Sequence, residues 1–172
     1  ALVQSTLEGQ TLYRDAFRML GVAKTETFNS IGREVGAMLD AHLLDTNIIS
    51  DLVANPDGRA AQAMAAVADS ALFTSIIVVM ELQFGVASAD RNDEAVGETV
   101  LSGFAVLPIE TPLEQTYAEI RAALERRGTL IGAHDLIIAA QAIDIDAALV
   151  TDNEREFRRV PGLRGENWLR PA

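Results

Sequence analysis

The sequence predicts an α/β fold: three layers, α/β/α, built on a parallel central sheet, with a short helical extension in front of it. Three observations predict this. Four short apolar runs, HLL at 42–44, LFTS at 72–75, FAVLPI at 104–109 and ALVT at 148–151, alternate with segments of helical periodicity. Strands joined through helices make right-handed crossovers, and these force neighbouring strands to run parallel. A chain of 172 residues is one domain with room for a small appendage, and at that length roughly 70% of the unfolded surface can be buried without staples.

The elements follow in order. Residues 11–21 set Leu12, Phe17 and Leu20 on one side of a helix ending at Gly21, and residues 25–36 repeat the pattern with Phe28, Ile31 and Val35. This pair, residues 1–37, is the extension, and residues 38–172 are the main domain. HLLDTN at 42–47 reads as a buried parallel strand running into a helix at 47–54, which Asn55-Pro56-Asp57-Gly58 breaks. An alanine-rich helix at 59–68 leads to a strand at 72–75 and a helix at 76–86 capped by Ser75. Residues 92–103 read as helix and 104–109 as the third strand. Thr111-Pro112-Leu113-Glu114 reads as a helix start with Thr at N-cap, Pro at N1 and Glu at N3, and Leu113, Tyr117, Ile120 and Leu124 then form one stripe. After a loop bounded by Gly128 and Gly132 come a helix at 134–143, a strand at 148–151 and a short last strand within 163–168.

Composition narrows the function classes. The chain has no cysteine, which removes disulfides, thiolate zinc sites and cysteine nucleophiles together and suits a reducing cytoplasm, the expected location. Its longest apolar stretch is far short of the roughly 20 residues of a membrane span, and no secretory signal is expected at its start. The net charge of −11 argues against a nucleic-acid partner, yet it is unevenly spread. Residues 1–37 are balanced, four basic against four acidic, so the excess lies in 38–172, where 21 acids face 10 arginines. Acids that act as metal ligands, with arginines grouped near them, reconcile that excess with a polyanionic substrate.

Four acids occupy equivalent places in the predicted topology. Asp45 ends the first strand, Glu81 lies in the helix after the second, Asp135 sits in the first turn of the helix after the glycine loop, and Asp152 follows the fourth strand beside Asn153. In a parallel sheet these places converge on the carboxyl edge of the strands, where ligands bind. Converging carboxylates repel and need a counter-charge, which a hard divalent cation with oxygen ligands supplies. Such an ion activates water and neutralises charge on phosphate, the chemistry of phosphodiester hydrolysis. Singly, each acid has a plainer reading: Asp45 as a helix cap, Asp135 as a partner of the helix dipole, Glu81 as a solvated helix residue. Glu81, however, stands inside the apolar run 76–84, where a charge is expensive. His42 and His134 have no zinc spacing and read as structural or peripheral. Arg155, Arg158, Arg159 and Arg164 read as a solvated face, or as a rim beside Asp152 that grips a nucleic-acid backbone.

At these residues the chain resembles a known family. LLDTNIISDLV at 43–53, SIIVVMELQFG at 75–85, GTLIGAHDLIIAAQAI at 128–143 and LVTDNEREFRRVPGLRGENW at 149–168 are similar to the PIN domains of VapC toxins, over about residues 42–170. The resemblance implies an endoribonuclease dependent on Mg2+ or Mn2+, acting on structured RNA such as transfer RNA, paired with a VapB-type antitoxin and forming a homodimer. By position it assigns Asp45, Glu81 and Asp135 as metal-binding acids and leaves the fourth ligand open between Asp152 and Asn153. Thr46 and Asn47 match polar positions that support the first acid. Residues 1–37 lie outside the resemblance, as an antitoxin-derived segment or one from a fused frame.

Two other readings compete. A phosphatase of the haloacid-dehalogenase kind also starts from an Asp at the end of a first strand, but it needs a second Asp where this chain has Asn47. An inert PIN-fold module kept for binding or regulation would retain the fold without metal. Nucleotide-binding glycine motifs are absent. Self-association is expected through the 59–68 helix or the stripe at 113, 117, 120 and 124, which offer more apolar surface than one sheet needs.

Overall fold

The computed structural model describes residues 40–67, 71–88 and 103–170. The helices expected at 11–21 and 25–36, and all but the last residue of the one expected at 92–103, lie outside the described residues. Within them the order is β1 (Ala41–Leu44), α1 (Thr46–Ala54), α2 (Arg59–Ala66), β2 (Ala71–Ser75), α3 (Ile76–Ser88), β3 (Ala105–Leu107), α4 (Leu113–Arg126), α5 (Ala133–Asp144), β4 (Ala148–Val150), α6 (Glu154–Phe157) and β5 (Gly165–Glu166).

All five strands are parallel, in the order β3-β2-β1-β4-β5. Helices cover both faces, which is why the central strands show no alternation: every residue of β1 and of β4 is buried. This is the expected α/β/α sandwich. Its core runs from Leu43, Leu44 and Phe73 in the sheet to Ile48, Leu52 and Met64 on one set of helices and Leu124, Leu136 and Ile138 on another. No described helix is long and apolar enough to cross a membrane.

The strand order fixes where a ligand can sit. The chain begins in mid-sheet at β1, builds outward through β2 and β3, then returns to β4 on the opposite side of β1. Between the carboxyl ends of β1 and β4 the connections depart to opposite sides, and such a switch point leaves a crevice. Asp45 N donates to Val150 O at 3.0 Å, so the residue ending β1 is tied to the last residue of β4 at that point.

Two expectations need correction. Thr111 does not cap α4: Pro112 occupies the N-cap position with no side-chain cap bond, after a cis Thr111–Pro112 peptide. The helix begins one residue later than expected, so Glu114 falls at N2 and the Thr111 hydroxyl is too far back to serve the first-turn amides. The faces expected to drive self-association are also already used. Leu113, Ile120 and Leu124 are buried within the domain, as are Ala60, Ala61 and Met64, because α4 packs along α5 and α2 against α1.

At the far end of α4, Gly128 takes φ +63, and the amides of Gly128 and Thr129 close back on the carbonyls of Glu125 and Leu124, both at 3.0 Å. A side chain in that left-handed position costs roughly 1–2 kcal/mol. This turn aims the 129–132 loop so that α5 starts at the carboxyl edge of the sheet.

Candidate active site

Asp45 is the most constrained residue of the crevice. It caps α1, its Oδ1 accepting from Thr46 N at 2.8 Å, so the plainer reading of the residue also holds. Its Oδ2 accepts from the Thr151 hydroxyl at 2.6 Å and from Asn47 Nδ2 at 2.9 Å. Asn47 in turn accepts from Asp152 N at 2.9 Å, and the Thr151 hydroxyl accepts from Asn153 N at 2.9 Å. The network stitches the ends of β1 and β4 together around one carboxylate. Burial nevertheless outweighs these donors and raises the Asp45 carboxyl above its ordinary value, with Glu81 adding to the rise. Asn47 also closes the phosphatase reading, since it supports Asp45 instead of standing as a second acid.

Glu81 arrives from α3. That helix starts immediately after β2, with Ile77 N on the Ser75 hydroxyl at 3.0 Å, the cap expected from the sequence. One and a half turns on, the Glu81 carboxylate is held at both oxygens: Thr46 Oγ1 donates to Oε2 at 2.5 Å, and His134 Nδ1 lies 3.0 Å from Oε1. His134, expected to be peripheral, therefore contacts an acid of the site while its side chain stays 58% exposed. His42 remains structural, its ring packed at 5.4 Å from Trp168 and its Nε2 3.5 Å from Glu166.

Asp135 stands in the first turn of α5. Its carboxyl is pushed up to about 6, first by burial, then by the charges of Asp45, Glu81 and Glu156, with His134 opposing. Gly132, at the N-cap of α5, makes room for it: a Cβ there would stand 3.2 Å from Asp135 Oδ2. Asp45, Glu81 and Asp135, far apart in sequence, thus share one electrostatic environment.

Asp152 is placed differently. Its carboxylate turns away from Asp45 to Asn167 Nδ2 at 2.8 Å and Arg170 Nε at 2.9 Å, and these donors lower its pKa. Asn153 stands at the N-cap of α6 and makes no side-chain cap bond. From this side it is Glu156, on α6, whose charge adds to the rise at Asp135, although its carboxylate is held by Arg159 Nη1 at 2.9 Å. The sequence reading missed it. Asn153-Glu154-Arg155-Glu156 looks like an ordinary capped helix start, and the charges around it read as a solvated face. The signal available was that a helix following β4 brings its first turn back over the switch point.

Asp135 therefore lies within electrostatic reach of three other acids, Asp45, Glu81 and Glu156. Among the described residues no three His, Asp or Glu side chains stand close enough to enclose one ion as placed, the spread expected of carboxylates that repel one another. The donors are all oxygens of carboxylates, with one imidazole at the edge, and this set fits a hard divalent cation rather than a thiolate or three-imidazole metal.

Comparison with known proteins places the chain in a family. A family model described as "PIN domain" matches residues 42–163, and a "Domain of unknown function (DUF8813)" matches residues 1–34. Ribonuclease VapC2 of Rickettsia felis is 34% identical over 130 residues, 74% of this chain and 97% of its own length. The tRNA(fMet)-specific endonuclease VapC of Salmonella typhimurium is 39% identical over 101 residues, 58% of this chain and 76% of its own length. Among solved structures, VapBC2 from Rickettsia felis bound to a promoter DNA fragment matches with a TM-score of 0.70 at 32% identity, covering 74% of this chain and 98% of that one. DNA-bound VapBC from Salmonella typhimurium matches with a TM-score of 0.70 at 32% identity, covering 76% and 99%. With the family match spanning most of the chain and the Rickettsia relative aligned along nearly all of its own length, the chain belongs to the PIN-domain family and, within it, to the VapC ribonucleases.

Proposed function

We propose that the chain is a metal-dependent endoribonuclease toxin of a type II toxin–antitoxin system, hydrolysing phosphodiester bonds in structured RNA such as transfer RNA. The observation that carries this reading is the convergence of Asp45, Glu81 and Asp135 at the switch point, where the neighbours Thr46 and His134 both hold Glu81, and where burial and neighbouring acids push the Asp135 carboxyl up to about 6. A protein that gathers carboxylates at such a cost lowers it by binding a cation. Asp45, Glu81, Asp135 and Glu156 would hold Mg2+ or Mn2+. Once bound, the cation supplies charge neutralisation at the phosphate and a more acidic attacking water.

The chain's own residues do the positioning. Thr46 N, Asn47 and Thr151 fix both oxygens of Asp45. The Thr46 hydroxyl and His134 fix those of Glu81, and Arg159 restrains Glu156. The test is cleavage of a transfer RNA in Mg2+ or Mn2+ by the full chain and by Asp45→Asn. Loss of cleavage by at least about 100-fold in a folded variant is expected, and undiminished cleavage by that variant refutes the assignment.

Gly132→Ala should act more gently. The backbone at Gly132, φ −57 and ψ 151, suits alanine, so thermal stability should barely move. The added Cβ crowds Asp135 Oδ2, however, and a displaced carboxylate should slow cleavage on the order of 10-fold. An unchanged rate would mean that Asp135 does not need its present position.

The same reading carries a VapB-type antitoxin and a second copy of the chain as partners, in a cytoplasmic setting. Met80 and Phe84, one turn apart on α3 and 56% and 74% exposed, are, with Ile109 and Leu130, exposed apolar side chains among the described residues that would meet one of them. Residues 38–172 are the proposed catalytic unit, and residues 1–37 a separate extension of antitoxin-derived or fused-frame origin.

A further inference from the structure

An open groove of about 1420 Å³ runs beyond the carboxyl ends of β4 and β5. Thr151 belongs both to it and to the acid centre, since it lines the groove and its hydroxyl donates to Asp45 Oδ2 at 2.6 Å. The groove therefore leads directly off the crevice.

Its charge departs from that of the chain. Arg59, Arg155, Arg158 and Arg170 line it against Asp152, Glu154 and Glu166, a positive local balance in a protein of net charge −11. The three carboxylates are answered from within the domain. Asp152 pairs with Arg170 at 2.9 Å, Glu154 with Arg158 and with Asn167 Nδ2, and Glu166 accepts from Trp168 Nε1 at 3.0 Å. Arg59 and Arg155 are both exposed, and among the described residues neither has an ion-pair partner. They are the surplus positive charge of the groove.

The groove offers no stacking platform to a base. Its aromatic residues, Phe157 and Trp168, are only 3% and 7% exposed, so no ring face is presented for stacking. Free guanidinium groups beside carboxylates already engaged within the domain, with no stacking platform, suit phosphodiester oxygens.

We propose that this groove is a subsite for the sugar–phosphate backbone of RNA flanking the cleaved bond, with Arg59 and Arg155 as its phosphate contacts. The proposal rests on the RNA-cutting reading above and adds the course of the strand: away from Asp45, past Thr151, along the β4–β5 side of the domain. Contacts of this kind are independent of base sequence and strongly dependent on salt.

The test follows binding of a fluorescent transfer RNA to the full chain carrying Asp45→Asn, so that nothing is cut, over about 50 to 300 mM KCl. Adding Arg59→Ala and Arg155→Ala should weaken binding on the order of 10-fold and reduce the slope of log affinity against log salt by about 1.5. In the cleaving protein the same pair should raise KM and leave kcat unchanged. Arg126→Ala with Arg127→Ala, exposed residues that do not line the groove, should alter neither affinity nor slope. An unmoved slope, an equal loss from the Arg126 and Arg127 pair, or weakened binding only of an acidic protein segment overturns the subsite while leaving the RNA-cutting reading intact. Failure of the unsubstituted chain to bind or cut RNA at all overturns both.

Discussion

Replacing Asp135 by asparagine is expected to abolish RNA cleavage and, at the same time, to make the metal-free protein more stable. Loss of cleavage follows because one anionic ligand is removed. The gain in stability follows from the sign of the shift. The folded protein holds the Asp135 carboxyl at about 6, above its ordinary 3.8, so it binds this proton more tightly than the unfolded chain does. The corresponding stability is complete below about pH 4 and is lost as pH rises through about 6. In full the shift would be worth about 3 kcal/mol. The carboxyl is only half-buried, and solvent screening reduces this to about 1 kcal/mol. Asp135→Asn should therefore raise the metal-free Tm by about 2–4 °C at pH 7.5 and by much less at pH 4.5. Thermal melts at the two pH values check this. A lowered Tm at pH 7.5 would mean that Asp135 is stabilised by contacts the account leaves out.

The second large effect concerns the fourth acid. Glu156→Gln is expected to lower cleavage by about 10- to 100-fold, the range seen when a group supporting a metal is removed. Asp152→Asn should stay within about threefold, because Asp152 is engaged by Asn167 and Arg170 and does not act on Asp135. Rates for both variants, taken with Mn2+ affinity, decide the matter. A large loss from Asp152→Asn with little from Glu156→Gln would restore the assignment drawn from the sequence.

The contrast between these two acids shows what the sequence carried. The strands were legible because β1 and β4 are apolar throughout, and Asp45 because a D-T-N step ends the first of them. The stripe at Leu113, Ile120 and Leu124 announced a helix but not its occupant, since α5 supplies that surface from a later segment. The start of α4 was misplaced by one residue, because a Thr-Pro pair admits Pro at N1 or at N-cap with the same local pattern. Around β4 the sequence left the fourth ligand open between Asp152 and Asn153, and Glu156 joins them as a candidate for a reason of orientation. Adjacent residues leave a strand end in different directions, so position alone could not say that Asp152 pairs with Arg170 while Glu156, on the next turn of chain, comes within electrostatic reach of Asp135. His134 was undervalued likewise, its partner Glu81 lying 53 positions away.

The most direct measurement is calorimetric titration of Mn2+ into the metal-free full chain at pH 7.5 and pH 5.5, with Asp45→Asn alongside. Binding by the unsubstituted chain should be tighter at the higher pH and release protons as the carboxyls ionise, and binding by the variant should be lost or sharply weakened. Absence of Mn2+ binding by the folded chain, or equal binding by folded Asp45→Asn, would contradict the metal-site assignment.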